Sequence, residues 1–487
     1  MAKSDEGYVG LLPEGDAAPF VSNERVRIVM TTARLDPMEL GSAQPPTHSA
    51  SKGHLVPLLI LLLFASVGHN LAAPSETATV QEVGFQNNPV PLFIRGLAYG
   101  WALFIALQHL GSTLHLIRQQ GAFLFFVGYM ATSMFWSAFP TKVFINVGHL
   151  LGLALVLVAA DRYFTEKPNG LFTLISLVLG SALLLSILVA ILVPSVGVAL
   201  PEGRWQGLAG NSNSLGMIAL ISLWSNTAGL HLPASRKLRK WHCLGLAVSC
   251  AALAGSRSVT AILAAGFAVT LTIFLVRLEG QPHVVRLMKI LAASWALLIL
   301  VVAVFAFVPH LLEAKGLFGF LGRSTTFSGR THLWEEAWKL IELRPWFGWS
   351  FDSNLSVLKH LGGVGQFHSG YLDLLVRGGW VGMVLFLGIL ISTLVRIGRL
   401  SRLEYRRAVV FAAMALAILL HNVTEASIAR ETHLLWTLLL FFYLFSFQRE
   451  RSLREIPFDP PRDDRGPQAD KLEWSGAADT RNMQTIR

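Results

Sequence analysis

TTFSGRTHLWEEAWKLIELRPWFGWSFDSNLSVLKHLGGVGQFHSGYLDLLVRGGWVG, residues 325–382, holds the densest mix of Arg, His, Asp and Glu between any two long apolar runs of this chain. A polar stretch held between apolar runs is the arrangement in which loops on a rigid scaffold carry chemistry. What those flanking runs are decides the fold. Hydrophobic residues make up 53% of the 487-residue chain and charged residues only 14%, whereas a soluble protein carries about 25% charged residues. Runs of about 20 apolar residues recur on both sides of the quoted stretch, the length at which a helix crosses the hydrocarbon core. The fold class that follows is an all-α polytopic membrane protein.

Working outward from 325–382, hydropathy predicts about twelve spans. They fall at roughly 54–73, 92–110, 122–139, 143–160, 171–193, 215–230, 243–254, 259–276, 290–308, 371–395, 408–420 and 434–447. Residues 54–448 thus form the transmembrane domain, with one large loop at 309–370, and the tenth span is expected to break at Gly378-Gly379. Residues 1–53 and 449–487 are polar and mixed in charge, and are expected to be disordered tails.

The net charge is +10. The basic residues sit in short loops, among them Arg236, Lys237, Arg239 and Lys240, then Arg277, Arg286 and Lys289, then Arg396, Arg399, Arg402, Arg406 and Arg407. With the spans above, all three clusters fall on one face, which the positive-inside rule makes cytoplasmic together with both termini. This pattern argues against a nucleic-acid partner. Arg204, Arg257, the large loop and His421-Asn422 fall on the opposite, extracytoplasmic face. Cys243 and Cys250 share one apolar run and read as buried small residues, neither a disulfide framework nor a metal site. No DxD pair appears on the outer face, so no metal or other cofactor is expected.

Several residues of that face can carry chemistry. Arg330 sits where a helix should start, capped by Ser328 or Gly329 and stopped near Leu343 by Pro345. Trp334, Ala337, Trp338 and Ile341 recur at helical spacing and predict an amphipathic helix on the membrane face. A cation in a first helical turn opposes the helix dipole, and a bound anion would remove the conflict; a solvated loop arginine is the plainer reading. Arg257 lies in GSRS, close to the membrane, where an ionisable residue is costly. Small neighbours Gly255, Ser256 and Ser258 would leave a ligand room, and snorkelling to the interface is the alternative. Arg204, in GRWQGLAGNSNSLG, is either a further phosphate contact or an anchor beside Trp205. His368 precedes Ser369-Gly370-Tyr371 at the junction of loop and tenth span. A neutral imidazole there can take a proton from a sugar hydroxyl, though a lone histidine is more often a structural hydrogen-bonder. Glu425 and Arg430 read as loop partners, and Asp352 and Asp373 as residues that orient neighbours.

These motifs resemble the O-antigen ligase and polymerase superfamily, which includes bacterial exopolysaccharide polymerases. The strongest matches are SGRTHLWEEAWKLIELRPWFGWS and HSGYLDLLVRGGWVG, supported by FWSAFP (135–140), RWQGLAGNSNSLG (204–216) and GSRS (255–258). The resemblance extends over residues 55–448. One departure is His368-Ser369, where His-Asn is commoner. The resemblance implies a metal-independent membrane glycosyltransferase with a GT-C-type helical fold in the bacterial inner membrane. Its donor would be a glycan on undecaprenyl diphosphate at the periplasmic face, and its acceptor a glycan or lipid-linked glycan. Carried onto matching positions, it makes His368 the general base, with Arg330 and Arg257 at the diphosphate and Arg204 close behind. Arg204, Trp334 and Tyr371 are taken as substrate-binding residues. The reading favoured is polymerisation of exopolysaccharide or O-antigen repeats, which implies a flippase and a chain-length regulator as partners beside the membrane lipids. Ligation of glycan to lipid A core is the alternative within the class, and a polysaccharide or solute transporter the alternative outside it. A transporter predicts ionisable residues near mid-bilayer and matching halves; here charge gathers at one face and no internal repeat is evident.

Overall fold

The computed structural model describes residues 89–166, 169–200, 202–282, 284–286, 288–289, 330–357 and 366–454. The first and ninth expected spans, the two expected tails except for residues 449–454, and the loop segments 309–329 and 358–365 lie outside these residues. The described residues are mainly helical: α1 (Pro89–Gln108), α2 (Leu110–Arg118), α3 (Gly121–Thr132), α4 (Pro140–Glu166), α5 (Gly170–Leu192), α6 (Ser212–His231), α7 (Arg236–Ser256), α8 (Val259–Val276), α9 (Arg330–Leu343), α10 (Gly370–Leu400), α11 (Tyr405–His421) and α12 (Leu434–Arg454). A two-residue ribbon pairs β1 (Val198–Ala199) with β2 (Arg204–Trp205), antiparallel, Val198 opposite Trp205 and Ala199 opposite Arg204.

Four of these helices are long and apolar enough to cross a membrane: Pro140–Ala160 of α4, Gly170–Leu192, Val259–Val276 and Gly370–Leu400. The expected run at 122–139 is not one helix. α3 stops at Thr132, a 3-10 turn takes Ser133–Phe135, and Pro140 opens α4. Ser133 stops it by turning its hydroxyl back to the Met130 carbonyl (2.7 Å) while accepting the Phe351 N–H (3.2 Å). The hydroxyl thereby competes with the helical ladder.

Local chemistry sets the other boundaries. α5 ends before Pro194, which cannot continue a helix. α6 starts on Asn211, whose side chain accepts the Ser214 N–H at 2.7 Å, and α7 on Ser235, which accepts the Leu238 N–H at 3.3 Å. α6 is buried almost all round, from Leu215 to Gly229, which makes it the central helix of the bundle. Trp224 on α6 donates to the Val410 carbonyl of α11 (3.0 Å) and meets Phe172 and Phe442 edge-on.

α10 is broken where Gly378-Gly379 predicts a break. Gly379 has φ +58° and ψ −163°, a conformation that needs glycine. The segment after α9 docks into the break. Trp380 and Val381 donate to the carbonyls of Pro345 (2.8 Å) and Trp346 (3.1 Å), and Trp349 donates to Val376 (2.8 Å). The Tyr129 hydroxyl sits within bonding distance of the Gly378 carbonyl (2.7 Å) and the Phe347 carbonyl (2.9 Å). A Cβ on Gly379 would lie 2.3 Å from the Trp346 oxygen. The backbone groups freed by the break are therefore re-satisfied by protein. α9 packs along the first turns of α10 through Ala337, Leu340 and Ile341, which share a small core with Leu375 and Val376. Trp338, expected on the same face, points outward.

Candidate active site

A polar cavity of about 440 Å³ opens between the β1–β2 ribbon, the start of α6, the residues before α10 and the α11–α12 connection. Arg204, Asn213, His368, Glu425, Arg430 and His433 are among its lining residues. The connection, residues 422–433, is folded around one side chain. Asn422 Oδ1 accepts the N–H groups of Ser427 (2.8 Å) and Ile428 (3.1 Å), and its Nδ2 donates to Ile418 (2.7 Å). This is the Asx geometry that lets a short loop reverse without a helix. Gly370 N–H donates to the carbonyls of Asn422 (2.8 Å) and Glu425 (3.0 Å), fastening the start of α10 to the connection. A Cβ at Gly370 would lie 2.1 Å from Asn422 Oδ1, so the glycine of His-Ser-Gly is a packing requirement.

Glu425 is the centre of the cluster. Its Oε1 accepts from Arg330 Nη2 at 2.7 Å and from Asn213 Nδ2 at 2.9 Å, and its Oε2 lies 3.4 Å from His368 Nδ1. Arg330 also donates to the Thr424 carbonyl (2.7 Å) and is only 8% exposed. Arg204 Nη2 donates to Asn213 Oδ1 (2.9 Å), extending the chain to a second guanidinium, and its Nε holds the Ser256 carbonyl (3.0 Å). Burial would push the Glu425 carboxyl up. The hydrogen bond from His368, the Arg330 charge and the two nearby histidines outweigh it and hold the group below the usual carboxylate range. Glu425 is accordingly an anion at neutral pH. His368 has φ +52°, a left-handed conformation that costs a non-glycine residue free energy. Its Nδ1 lies between Glu425 and Gln366 (3.4 Å each), while its Nε2 makes no hydrogen bond among the described residues.

The expected site residues divide. Arg330, His368 and Arg204 come together around Glu425. Arg257 does not line the cavity. It caps α7 with φ +48°, is exposed, and reaches the carbonyl of Glu202 at 3.4 Å. Its charge at a helix C-terminus is favourable in its own right. The space beside Gly255 is filled by the Trp205 ring, which a Cβ there would meet at 2.1 Å. Trp334 donates to the Phe367 carbonyl (3.0 Å) and Tyr371 to Leu419 (2.9 Å), so both brace backbone around His368. Asp373 is wholly buried. One of its oxygens takes Arg430 (Nη2 2.8 Å, Nε 3.2 Å) and the other takes Asn354 (3.1 Å) and the Phe367 N–H (3.2 Å). Asp352 accepts from Ser137 (2.9 Å) and Ser356. Glu425 is more than the loop partner that the sequence suggests. The signal for more was an acid three residues after His421-Asn422, on the face that already held the arginines. Among the described residues no group of three His, Cys, Asp or Glu side chains is placed to hold a metal ion.

Residues 242–387 match the family model described as O-antigen ligase, which supports the resemblance read from the motifs. The matched segment contains Arg257, Arg330, Trp334, His368 and Tyr371; Arg204, Asn213 and Glu425 lie outside it. No curated protein matches the chain. The family match and the four apolar helices support a membrane enzyme of O-antigen ligase/polymerase type, and the family implies lipid-linked glycan substrates.

Proposed function

We propose that this protein transfers a glycan from undecaprenyl diphosphate to a sugar hydroxyl, and that its reaction is polymerisation of lipid-linked repeats at the periplasmic face of the inner membrane. The observation that carries the reading is the Glu425 carboxylate, which takes Arg330 directly, lies beside His368 and is linked through Asn213 to Arg204, with Glu425, His368 and Arg204 lining one polar cavity. Glu425 takes the Nδ1–H of His368 and leaves the Nε2 lone pair toward the cavity. Nε2 removes the acceptor hydroxyl proton as its oxygen attacks the anomeric carbon. The bond from that carbon to the diphosphate oxygen breaks, and charge grows on the leaving group. Arg330 and Arg204 supply charge-assisted contacts to it without a metal. One displacement inverts the anomeric centre. The second arginine in this mechanism is Arg204 in place of Arg257, because Arg204 lines the cavity.

The basic residues Arg396, Arg399, Arg402, Arg406 and Arg407 lie at the ends of α10 and α11 remote from the cavity. That arrangement supports cytoplasmic termini and a periplasmic site. The description of the matched family as ligase favours a second reading, transfer to lipid A core. Purified protein in nanodiscs, given lipid-linked repeat alone, makes a ladder of longer lipid-linked glycans if it polymerises. A ligase makes product only when lipid A core is added. His368→Gln keeps hydrogen bonding but removes the base, and should cost about 10²–10⁴-fold in turnover. Wild-type turnover by that variant would remove His368 from the chemistry.

A further inference from the structure

A second opening, of about 500 Å³, lies beside the break in α10 and is lined by Trp136, Arg344, Pro345, Trp346, Phe347 and Gly348. We propose that this groove binds the phosphate headgroup of an anionic phospholipid of the bilayer, with Arg344 as its anion contact. The inference needs a membrane-spanning α10 but does not depend on the glycosyl-transfer reading.

Depth locates the groove. α10 has 31 residues, about 46 Å of helix, against a hydrocarbon core of about 30 Å. Part of it must lie outside the hydrocarbon. The charge pattern shows which part. Asp373 and Arg377 fall in the first eight residues, and the run 378–395 is free of charge until Arg396. Burial gives the same boundary independently. From Gly370 to Gly379 no residue of α10 is exposed. From Trp380 onward an exposed apolar stripe begins and continues through Val384, Leu387, Ile391 and Leu394, at helical spacing. That stripe is a lipid-facing surface. It starts at the break, so the edge of the hydrocarbon lies at Gly379, level with the groove.

Charge decides what the groove can take. Lipid phosphates lie just outside that edge. Arg344 is exposed there with its guanidinium 4.3 Å over the Trp349 ring, and no carboxylate among the described residues pairs with it. Trp346 and Phe347 beside it are 65% and 59% exposed. Tryptophan with arginine at this depth is the composition of an interfacial anchor. An apolar wall with one guanidinium that meets no carboxylate among the described residues suits a lipid with a single anionic headgroup and an acyl chain.

Distance excludes the donor diphosphate as the occupant. α9 carries Arg330 at its first position and ends at Leu343, so about 20 Å of helix separates Arg330 from the groove. One diphosphate cannot engage Arg330 and Arg344 together.

The test is native mass spectrometry of the full chain released from nanodiscs holding equal amounts of phosphatidylglycerol and phosphatidylcholine. Wild type should retain phosphatidylglycerol in preference. Arg344→Gln should lose about fivefold of that preference, and Arg344→Lys most of it regained, since the contact is a point charge at an anionic surface. Arg402→Gln, at the other end of α10, should behave as wild type. Equal retention of the two lipids by wild type would overturn the proposal, and so would unchanged retention by Arg344→Gln. Displacement of phosphatidylglycerol by an equal amount of undecaprenyl phosphate would overturn it too, by assigning the groove to the donor's lipid. Turnover is not the readout, so this result stands apart from the fate of the glycosyltransferase reading.

Discussion

The connection 422–433 feeds two arginine–carboxylate assemblies that differ in what they face. On one side Glu425 receives Arg330, Asn213 and His368, and the assembly opens into the 440 Å³ cavity. On the other, Arg430 closes on Asp373, and Glu431 lies 3.8 Å from Arg377, whose guanidinium also donates to Ala429 (3.1 Å) and stacks over Phe351. Asp373 and Arg377 are fully buried. The two assemblies use the same side-chain chemistry for different ends. The closed one keeps Asp373 and Arg377 buried, with only Arg430 reaching the cavity wall, and fixes the Phe367 N–H one residue before His368. The open one places Glu425, His368 and Arg204 on the wall of a cavity. Loss of a partner should therefore cost folding in the first and turnover in the second.

The largest effect is expected on the closed side. Asp373→Ala takes the carboxylate from Arg430 and strips Asn354 and Phe367 of an acceptor. Breaking a buried pair by removing one partner costs about 3–5 kcal/mol. Denaturant unfolding in detergent should show that loss, with turnover per folded molecule reduced far less. If the variant is as stable as wild type but inactive, the division between the assemblies is wrong. On the open side, Arg330→Ala should reduce turnover by about 10²–10³-fold, the size of one lost contact to developing charge. Arg330→Lys should recover only part, because a point charge cannot replace the fork. Arg204→Ala should follow Arg330→Ala, whereas Arg257→Ala should stay near wild type. Equal losses at Arg204 and Arg257 would return Arg257 to the site.

How much of this was legible depends on the range of the interaction. Helix breaks were, because their causes are local. Gly378-Gly379 and Pro345 mark the kink and the end of α9 within a few residues of where each acts. The stop after Thr132 depends on Ser133 reaching Phe351, more than two hundred residues on, and a hydropathy window runs through it. Arg330 and His368 stood out because each sits in a distinctive motif. Glu425 did not, since its partners lie 57 to 212 residues away and no spacing links them. Arg257 lies in a motif that does not show what fills the space beside it. Gly255 is small where Trp205 packs, and the Arg257 backbone is left-handed because it ends a helix.

The kink offers a middle-sized test that sharpens the comparison, because it positions the closed assembly without belonging to it. Gly379→Ala places a Cβ 2.3 Å from the Trp346 oxygen at φ +58°. Strain of this kind costs about 1–3 kcal/mol. The expected result is a lower unfolding midpoint, with Gly388→Ala, which has open space, unchanged. Similar behaviour of the two variants would show that the break in α10 is not held by its docked loop.

The smallest effect is the dependence on pH, and it isolates Glu425 from every other carboxylate. Its carboxyl is held below its ordinary range: burial opposes ionisation, but the His368 hydrogen bond and the Arg330 charge outweigh it. A group whose folded-state value is depressed adds stability that is fully present above the unfolded value, about 4.3 for glutamate. That stability is lost as pH falls through the folded value. Glu425→Gln keeps the side-chain shape and the Asn213 neighbour but cannot ionise. Its thermal midpoint should therefore lie below that of wild type by a constant amount from pH 7 down to about 5, and the gap should close below about 4.3. Asp373 and the other acids titrate in both proteins and cancel from the difference. A gap that does not change with pH would mean that the charge of Glu425 contributes nothing to the fold, and that its bonds to Arg330 and Asn213 act through geometry alone. A gap that widens on acidification would mean that the carboxyl is raised and protonated in the folded protein, and His368 would then lack the anion that orients it.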